Sequence, residues 1–325
     1  GELQTVTAGT GNLALGNGTG IAIASGGNYN TLIGNNVGAA ITTGDYNTAV
    51  GAYALQSEDE HGYNTAVGYS ALKNLNAGIA GYNTAIGHNA GTALTTGRHN
   101  TAVGHSALKT EDEHGYNTAI GYHALENQNA GANAVNTAVG MYAGRYVTTG
   151  IRNTLLGYVA GQDLATAGYN VAIGYAALYE EDTDGGNVAI GHEALRNQDV
   201  GAGALAYNTA VGYSAGLSTT TGTRNTFIGG IAGEDNTEGV QNTFVGYGAG
   251  RDVIDGSYNT AVGETSFYDS TSSVGCVALG YQSLANVTTA SSNTGLGRQA
   301  GQLITTGDLN TAVGAYALDA ETVGD

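Results

Sequence analysis

The sequence predicts an all-β repeat solenoid, a parallel β-roll of about 18 coils of about 17 residues each. Three observations predict it. A five-residue phrase, Asn-Thr-Ala-Val-Gly or a close variant, recurs along the whole 325-residue chain. Most neighbouring copies are seventeen positions apart, with one spacing of eighteen, two of nineteen and one of twenty-one. The phrase is rich in β-branched residues and closes on Gly, the signature of a short strand running into a turn.

With the Asn as position 0, the phrase begins eighteen times, from Asn12 to Asn310. No stretch is left over for a separate globular domain, so residues 1–325 read as a single repeat domain. A helical reading fails, because Gly, Asn and Thr in every unit would each weaken a helix. One strand per unit of this length is instead the mark of a solenoid coil. Coils stacked at the interstrand spacing of about 4.8 Å would give a rod on the order of 85 Å long.

Each column then becomes a ladder. Position 0 is Asn in seventeen units, with Cys276 the exception, and its stacked amides can satisfy one another at a buried corner. Position +4 is Gly in all eighteen units, which marks a corner needing positive φ or close backbone approach. Asn64, Val67, Gly68, Asn117, Ile120 and Gly121 are representative ladder positions. The aliphatic column at +3 is expected to fill the coil interior, with the Thr column at +1 buried on the same face.

The return turns come in two kinds. Some coils carry a small residue and then Leu at +8, as at Leu72 and Leu125. Others carry Gly at +8 and, in most cases, an aliphatic residue at +11, among them Ile41, Leu94, Val147, Leu164, Val253 and Ile304. Packed interiors dislike voids, so +11 is expected to resupply the group lost at +8.

Strand alternation places +1 and +3 on one face and 0, +2 and +4 on the other. Yet +3 is aliphatic throughout, and +2 is mostly Ala or larger, including Phe227 and Phe244. A strand apolar on both faces needs a second dry neighbour, and another copy of the chain is the simplest one. A homo-oligomer is therefore expected.

Composition narrows the partners. The chain has 27 acidic and 9 basic side chains and a net charge of −18, which argues against nucleic acid. No apolar run is long enough for a membrane span, so direct membrane insertion is not expected. With one Cys there is no intrachain disulfide, and the first residues lack the pattern of a signal peptide. The chain is expected to be a soluble fragment, with any export and anchoring elements lying outside it.

The phrases "NTAVGYSAL", "NTAIGHNAG" and "NVAIGHEAL" resemble the head repeats of trimeric autotransporter adhesins of the YadA type. Closely similar repeats occur in phage tail-fibre proteins. The resemblance spans essentially the whole chain, although the usual unit of that family is somewhat shorter, with tighter return turns. It implies a homotrimeric rod of left-handed parallel β-rolls, non-enzymatic and without cofactor, displayed outside a cell or on a virion. The implied partners are its own copies and a host-cell surface glycan or protein, or extracellular matrix.

The aromatic strip at +5 is the candidate ligand surface: Tyr69, His88, His105, Tyr122, Tyr158, Tyr175, His192, Tyr213, Tyr247 and Tyr281. A second Tyr column stands at −1, including Tyr29, Tyr46, Tyr63, Tyr82 and Tyr116. Tyr rings can stack on sugars or on a partner, but ladder stacking that stiffens the roll is the simpler reading.

Other features carry less. The turns Glu58–His61, Glu111–His114 and Glu180–Asp184 cluster carboxylates that could hold a cation, although they lack the ligand spacing of calcium loops, and solvated acidic turns explain them more simply. No metal is therefore expected. Thr pairs such as Thr95–Thr96 raise ice binding as the rival function from another class, but they recur only every few coils. The hexapeptide pattern in "VGYSAL" occurs in left-handed β-helix acyltransferases, though there three times per coil. No Ser, His and Asp form a recognisable triad, so an enzyme is not expected. Cys276 reads as a small buried thiol.

Overall fold

The computed structural model describes residues 9–180, 183, 185–201 and 205–319. The chain divides into two compact units, Gly1–Thr166 and Ala167–Asp325. No described residue is helical. The fold is an all-β parallel solenoid, one three-residue strand to a coil.

In the first unit the strands are β1 (Leu13–Leu15), β2 (Thr31–Ile33), β3 (Thr48–Val50), β4 (Thr65–Val67), β5 (Thr84–Ile86), β6 (Thr101–Val103), β7 (Thr118–Ile120), β8 (Thr137–Val139) and β9 (Thr154–Leu156). In the second they are β10 (Val171–Ile173), β11 (Val188–Ile190), β12 (Thr209–Val211), β13 (Thr226–Ile228), β14 (Thr243–Val245), β15 (Thr260–Val262), β16 (Val277–Leu279), β17 (Thr294–Leu296) and β18 (Thr311–Val313). Within each unit successive strands pair in parallel, like column on like column, as Thr65↔Thr84, Ala66↔Ala85 and Val67↔Ile86. The longer coils keep this register because their extra residues lie in the turns, where Gly78 and Gly131 have open space beside them.

The faces are the reverse of the expectation. In every strand the middle residue, position +2, is buried, while +1 and +3 are half-buried or exposed. Ala66, Phe227 and Phe244 lie in the core; Ile86, Ile120, Leu156 and Ile228 look outward. Val67 is half-buried and Ile120 is 38% exposed, so both belong to a ladder, but to an outer one. The cause is the coil's narrow interior. It accepts Ala from the strand because the +7, +8 and +11 side chains already fill the opposite wall.

That filling follows the expected exchange. Leu55, Leu72, Leu108 and Leu125 at +8 are fully buried, as are Ile41, Leu94, Val147 and Ile304 at +11. A β-carbon on Gly91 would stand 2.9 Å from Leu94 Cδ1, and one on Gly161 would stand 2.5 Å from Leu164 Cδ1. The +11 side chain therefore occupies the space that a +8 side chain leaves. Two Gly coils have a polar side chain at +11, Thr219 and Asn236, and there the larger strand residue does the filling. Phe227 lies 2.6 Å from a β-carbon placed on Gly216 and 2.5 Å from one placed on Gly233.

Backbone conformation explains the column statistics. In every coil the residues at −1, +6 and +8 have positive φ in the left-handed region, as at Tyr63 (63°), Ser70 (56°) and Leu72 (49°). This region strains most L-residues but admits them. Position +4 has φ between 116° and 148°, a region essentially reserved for Gly. A β-carbon on Gly68 would also fall 2.4 Å from the carbonyl oxygen of Gly87 in the next coil. Hence +4 is invariant, while +8 alternates between Gly and Leu.

The Asn ladder is built from side chain to backbone. Asn47 Oδ1 accepts the N–H of Asn64 at 3.1 Å, and Asn64 Oδ1 accepts that of Asn83 at 3.1 Å. In several coils Nδ2 also donates to a carbonyl near the end of the following return turn, as from Asn83 to Gly97 at 2.8 Å. The Oδ1 acceptor thus ties one coil to the next, pairing a backbone N–H that burial would otherwise penalise. Asn64 and Asn117 are both buried, and Nδ2 of Asn117 has no hydrogen-bond partner.

Candidate functional site

Four columns reach the surface around each strand: aromatics at −1, Thr at +1, aliphatics at +3, and Tyr or His at +5. The alternation of the strand turns +1 and +3 outward together, and the left-handed residue at −1 and the Gly at +4 frame them at either end.

The expected +5 strip is exposed, from Tyr69 to Tyr281. The structure brings its members together in two stacks, one per unit. In the first unit Tyr69, His88, His105 and Tyr122 stack with centroids 5.0–5.3 Å apart. In the second, Tyr175, His192 and Tyr213 stack at 4.8 and 5.1 Å. These are cross-strand ring pairs, so the strip is a structural ladder before it is anything else. Tyr247 and Tyr281 stand apart from the second stack, since Gly230 and Glu264 occupy the +5 positions between. The edge of Tyr158 meets Tyr142, and Arg298 lies over Tyr281 with Cζ 5.7 Å from the centroid.

The longer stack is at −1. Tyr29, Tyr46, Tyr63, Tyr82, His99 and Tyr116 form six consecutive layers 5.0–5.3 Å apart. His99 was not evident as part of this column; its one signal is its place immediately before Asn100. Stacking explains why Tyr recurs at a backbone position that would suit Gly. The second unit adds an open groove of about 350 Å³, lined among others by Tyr247, Tyr268, Gln282, Asn286 and Gln302.

The Thr column differs from expectation in the same way as +3. Thr65 and Thr84 are half-buried, Thr48 and Thr137 exposed. Thr and an aliphatic residue thus share an outward face through most strands of each unit. Cys276 is a buried free thiol whose pKa is raised by burial.

The two "EDEH" turns adopt matching geometries. Glu58 and Glu111 occupy +11, the position that points into the coil in other units, and both are fully buried. Each accepts a hydrogen bond at 3.2 Å from the backbone N–H of the His that closes its turn, His61 or His114. Burial pushes the Glu58 carboxyl up to about 7 against the lowering effect of the His61 and Ala77 N–H groups, and raises Glu111 likewise. The third acidic turn, Glu180–Asp184, has residues 181, 182 and 184 outside the described residues.

In comparisons with known proteins, no family model and no curated protein matches the chain.

Proposed function

We propose that the chain is a segment of a homotrimeric surface fibre, the head or shaft of an adhesin or phage tail fibre. The observation that carries this reading is the outward +3 column. Ile86, Ile120, Leu156, Ile228, Val262 and Leu279 are each at least 37% exposed, in columns of aliphatic residues that lone soluble domains rarely leave open. Parallel stacking repeats the same outer surface at every coil, so a second and third copy running alongside would bury it continuously. The apolar strand on both faces still calls for a partner, with the roles of +2 and +3 exchanged.

In such a rod the aromatic stacks at −1 and +5 rim the joined faces. Multivalent contact with a host-cell glycan, protein or matrix then follows from repetition along three chains, each weak contact strengthened by the next. The site of action is extracellular, on a cell or a virion. A glycan and cell-binding screen tests the adhesive part. Binding that falls at least tenfold when Tyr69, Tyr122 and Tyr213 are changed to Ala supports it; undiminished binding assigns the chain a spacer role.

One observation favours a second reading. The Thr column lies on the outer face, and its regular spacing is the arrangement by which a flat solenoid face engages an ice lattice. Ice crystals shaped by micromolar protein would establish this alternative, and unshaped ice would remove it.

A further inference from the structure

The buried carboxylates of the "EDEH" turns are unexplained by any surface role. Position +11 faces the coil interior, and the Gln side chains that stand there in two other coils are satisfied. Gln128 accepts from Asn136 Nδ2 at 2.7 Å and donates to the carbonyl of Thr148 at 3.0 Å; Gln198 makes the same pair of bonds with Asn208 and Thr220. Glu58 and Glu111 are fully buried at the same position, yet Oε2 of each makes no hydrogen bond. Nδ1 of His61 and of His114 is likewise buried without a hydrogen-bond partner. A buried carboxyl group must either hold a proton or meet a compensating charge, and in these two coils it repeats beside a buried imidazole nitrogen that has no hydrogen-bond partner.

The separation of these atoms says what would supply it. His61 Nδ1 lies 4.0 Å from Glu58 Oε1, and His114 Nδ1 lies 3.6 Å from Glu111 Oε1. Both are too long for a hydrogen bond, whose ordinary range ends at about 3.2 Å. A zinc ion with bonds of about 2.0–2.1 Å holds its ligands roughly 3.3–4.2 Å apart, depending on geometry. A carboxylate of Asp59 or Asp112 completes each group, with one ligand atom from each residue within 4.8 Å of the others. Asp59 Oδ1 and Asp112 Oδ1 accept the N–H of Glu60 and Glu113 at 2.6 and 2.7 Å, which fixes their side chains.

We infer that Glu58, Asp59 and His61 form one divalent-cation site, and Glu111, Asp112 and His114 a second. The donor set is one imidazole nitrogen and two carboxylates. That mixture suits a borderline cation of the zinc class better than calcium, which takes oxygen ligands alone. Three protein ligands leave coordination positions for water. The sites lie three coils apart in the first unit, and each would clamp its own return turn. This inference is independent of trimerisation, because each site is built within one chain.

Titration calorimetry of the full chain with zinc chloride, after chelator treatment, tests it. Two zinc ions per chain are expected, one in Glu58→Gln, and neither of these two in the variant carrying both Glu58→Gln and Glu111→Gln. Gln stands naturally at +11 in two other coils, so the variants retain a residue the fold accommodates. Uptake of zinc in the double variant equal to that of the unchanged chain would overturn the assignment, as would no uptake by the unchanged chain. Calcium binding without zinc binding would overturn the choice of cation class.

Discussion

Cys276 Sγ lies 3.4 Å from the carbonyl oxygen of Ala290, where neighbouring coils place an Asn amide. Asn259 Nδ2 donates to the carbonyl of Ser273 at 2.8 Å, and Asn293 Nδ2 to that of Gly307 at 2.7 Å, each at the same sequence offset. A thiol donates weakly, so the ladder has a weak rung at this coil. Cys276→Asn should stabilise the chain by about 1 kcal/mol, the usual net value of a recovered hydrogen bond. Chemical denaturation of the two proteins measures the difference.

The same thiol gives a reactivity prediction. Burial raises its pKa, so at neutral pH it is protonated as well as shielded. Only the thiolate is nucleophilic. Native protein should resist iodoacetamide at neutral pH, and unfolded protein should react completely; mass spectrometry of the alkylated chain reports both.

Two glycines in different columns should respond differently to one added methyl group. Gly68 has φ +134° and Gly87 oxygen 2.4 Å from its missing β-carbon, so Gly68→Ala must move the backbone of the next coil. Gly91 has φ +56°, and its nearest neighbours are the ends of Leu94 and Leu72. Gly68→Ala should cost at least about 3 kcal/mol and Gly91→Ala roughly 1–2 kcal/mol, given the usual strain of such conformations. Denaturation midpoints of the two variants decide the order.

Phe227 and Phe244 stack in the core at 5.7 Å, and Phe227 also fills the space beside two glycines at +8. Phe227→Ala should cost about 3–5 kcal/mol through the cavity it leaves. Adding Thr219→Leu should recover part of that loss, because an aliphatic side chain at +11 fills the same space in other coils. Equal stability of the single and double variants would refute the exchange.

Much of this fold was legible because the repeat shows its constraints eighteen times over. The strand, the invariant Gly, the Asn ladder and the +8/+11 exchange all follow from column identity. Which face of the strand looks inward did not. Ala66 and Val67 are both apolar, and period-two alternation is indifferent to which one is inside. The deciding signs were Thr at +1, which shares its face with +3, and the occasional Phe or Leu at +2, which only a core could hide. The left-handed residues at −1, +6 and +8 were also hidden, because Tyr, Ser and Leu stand there in many coils where Gly would be the usual signal. The stacks at −1 and +5 followed from ladder geometry; the matching geometry of the two buried Glu–His pairs needed coordinates.

We propose that the outward Thr and aliphatic columns form the interface of a homotrimer. Sedimentation equilibrium of the chain, whose mass is 32.5 kDa, tests this most directly. A species of three times that mass is predicted, falling to the single-chain mass when Ile86, Ile120 and Ile228 are changed to Lys, with circular dichroism unchanged. A monomer that stays folded at all concentrations with its aliphatic columns intact would contradict the account.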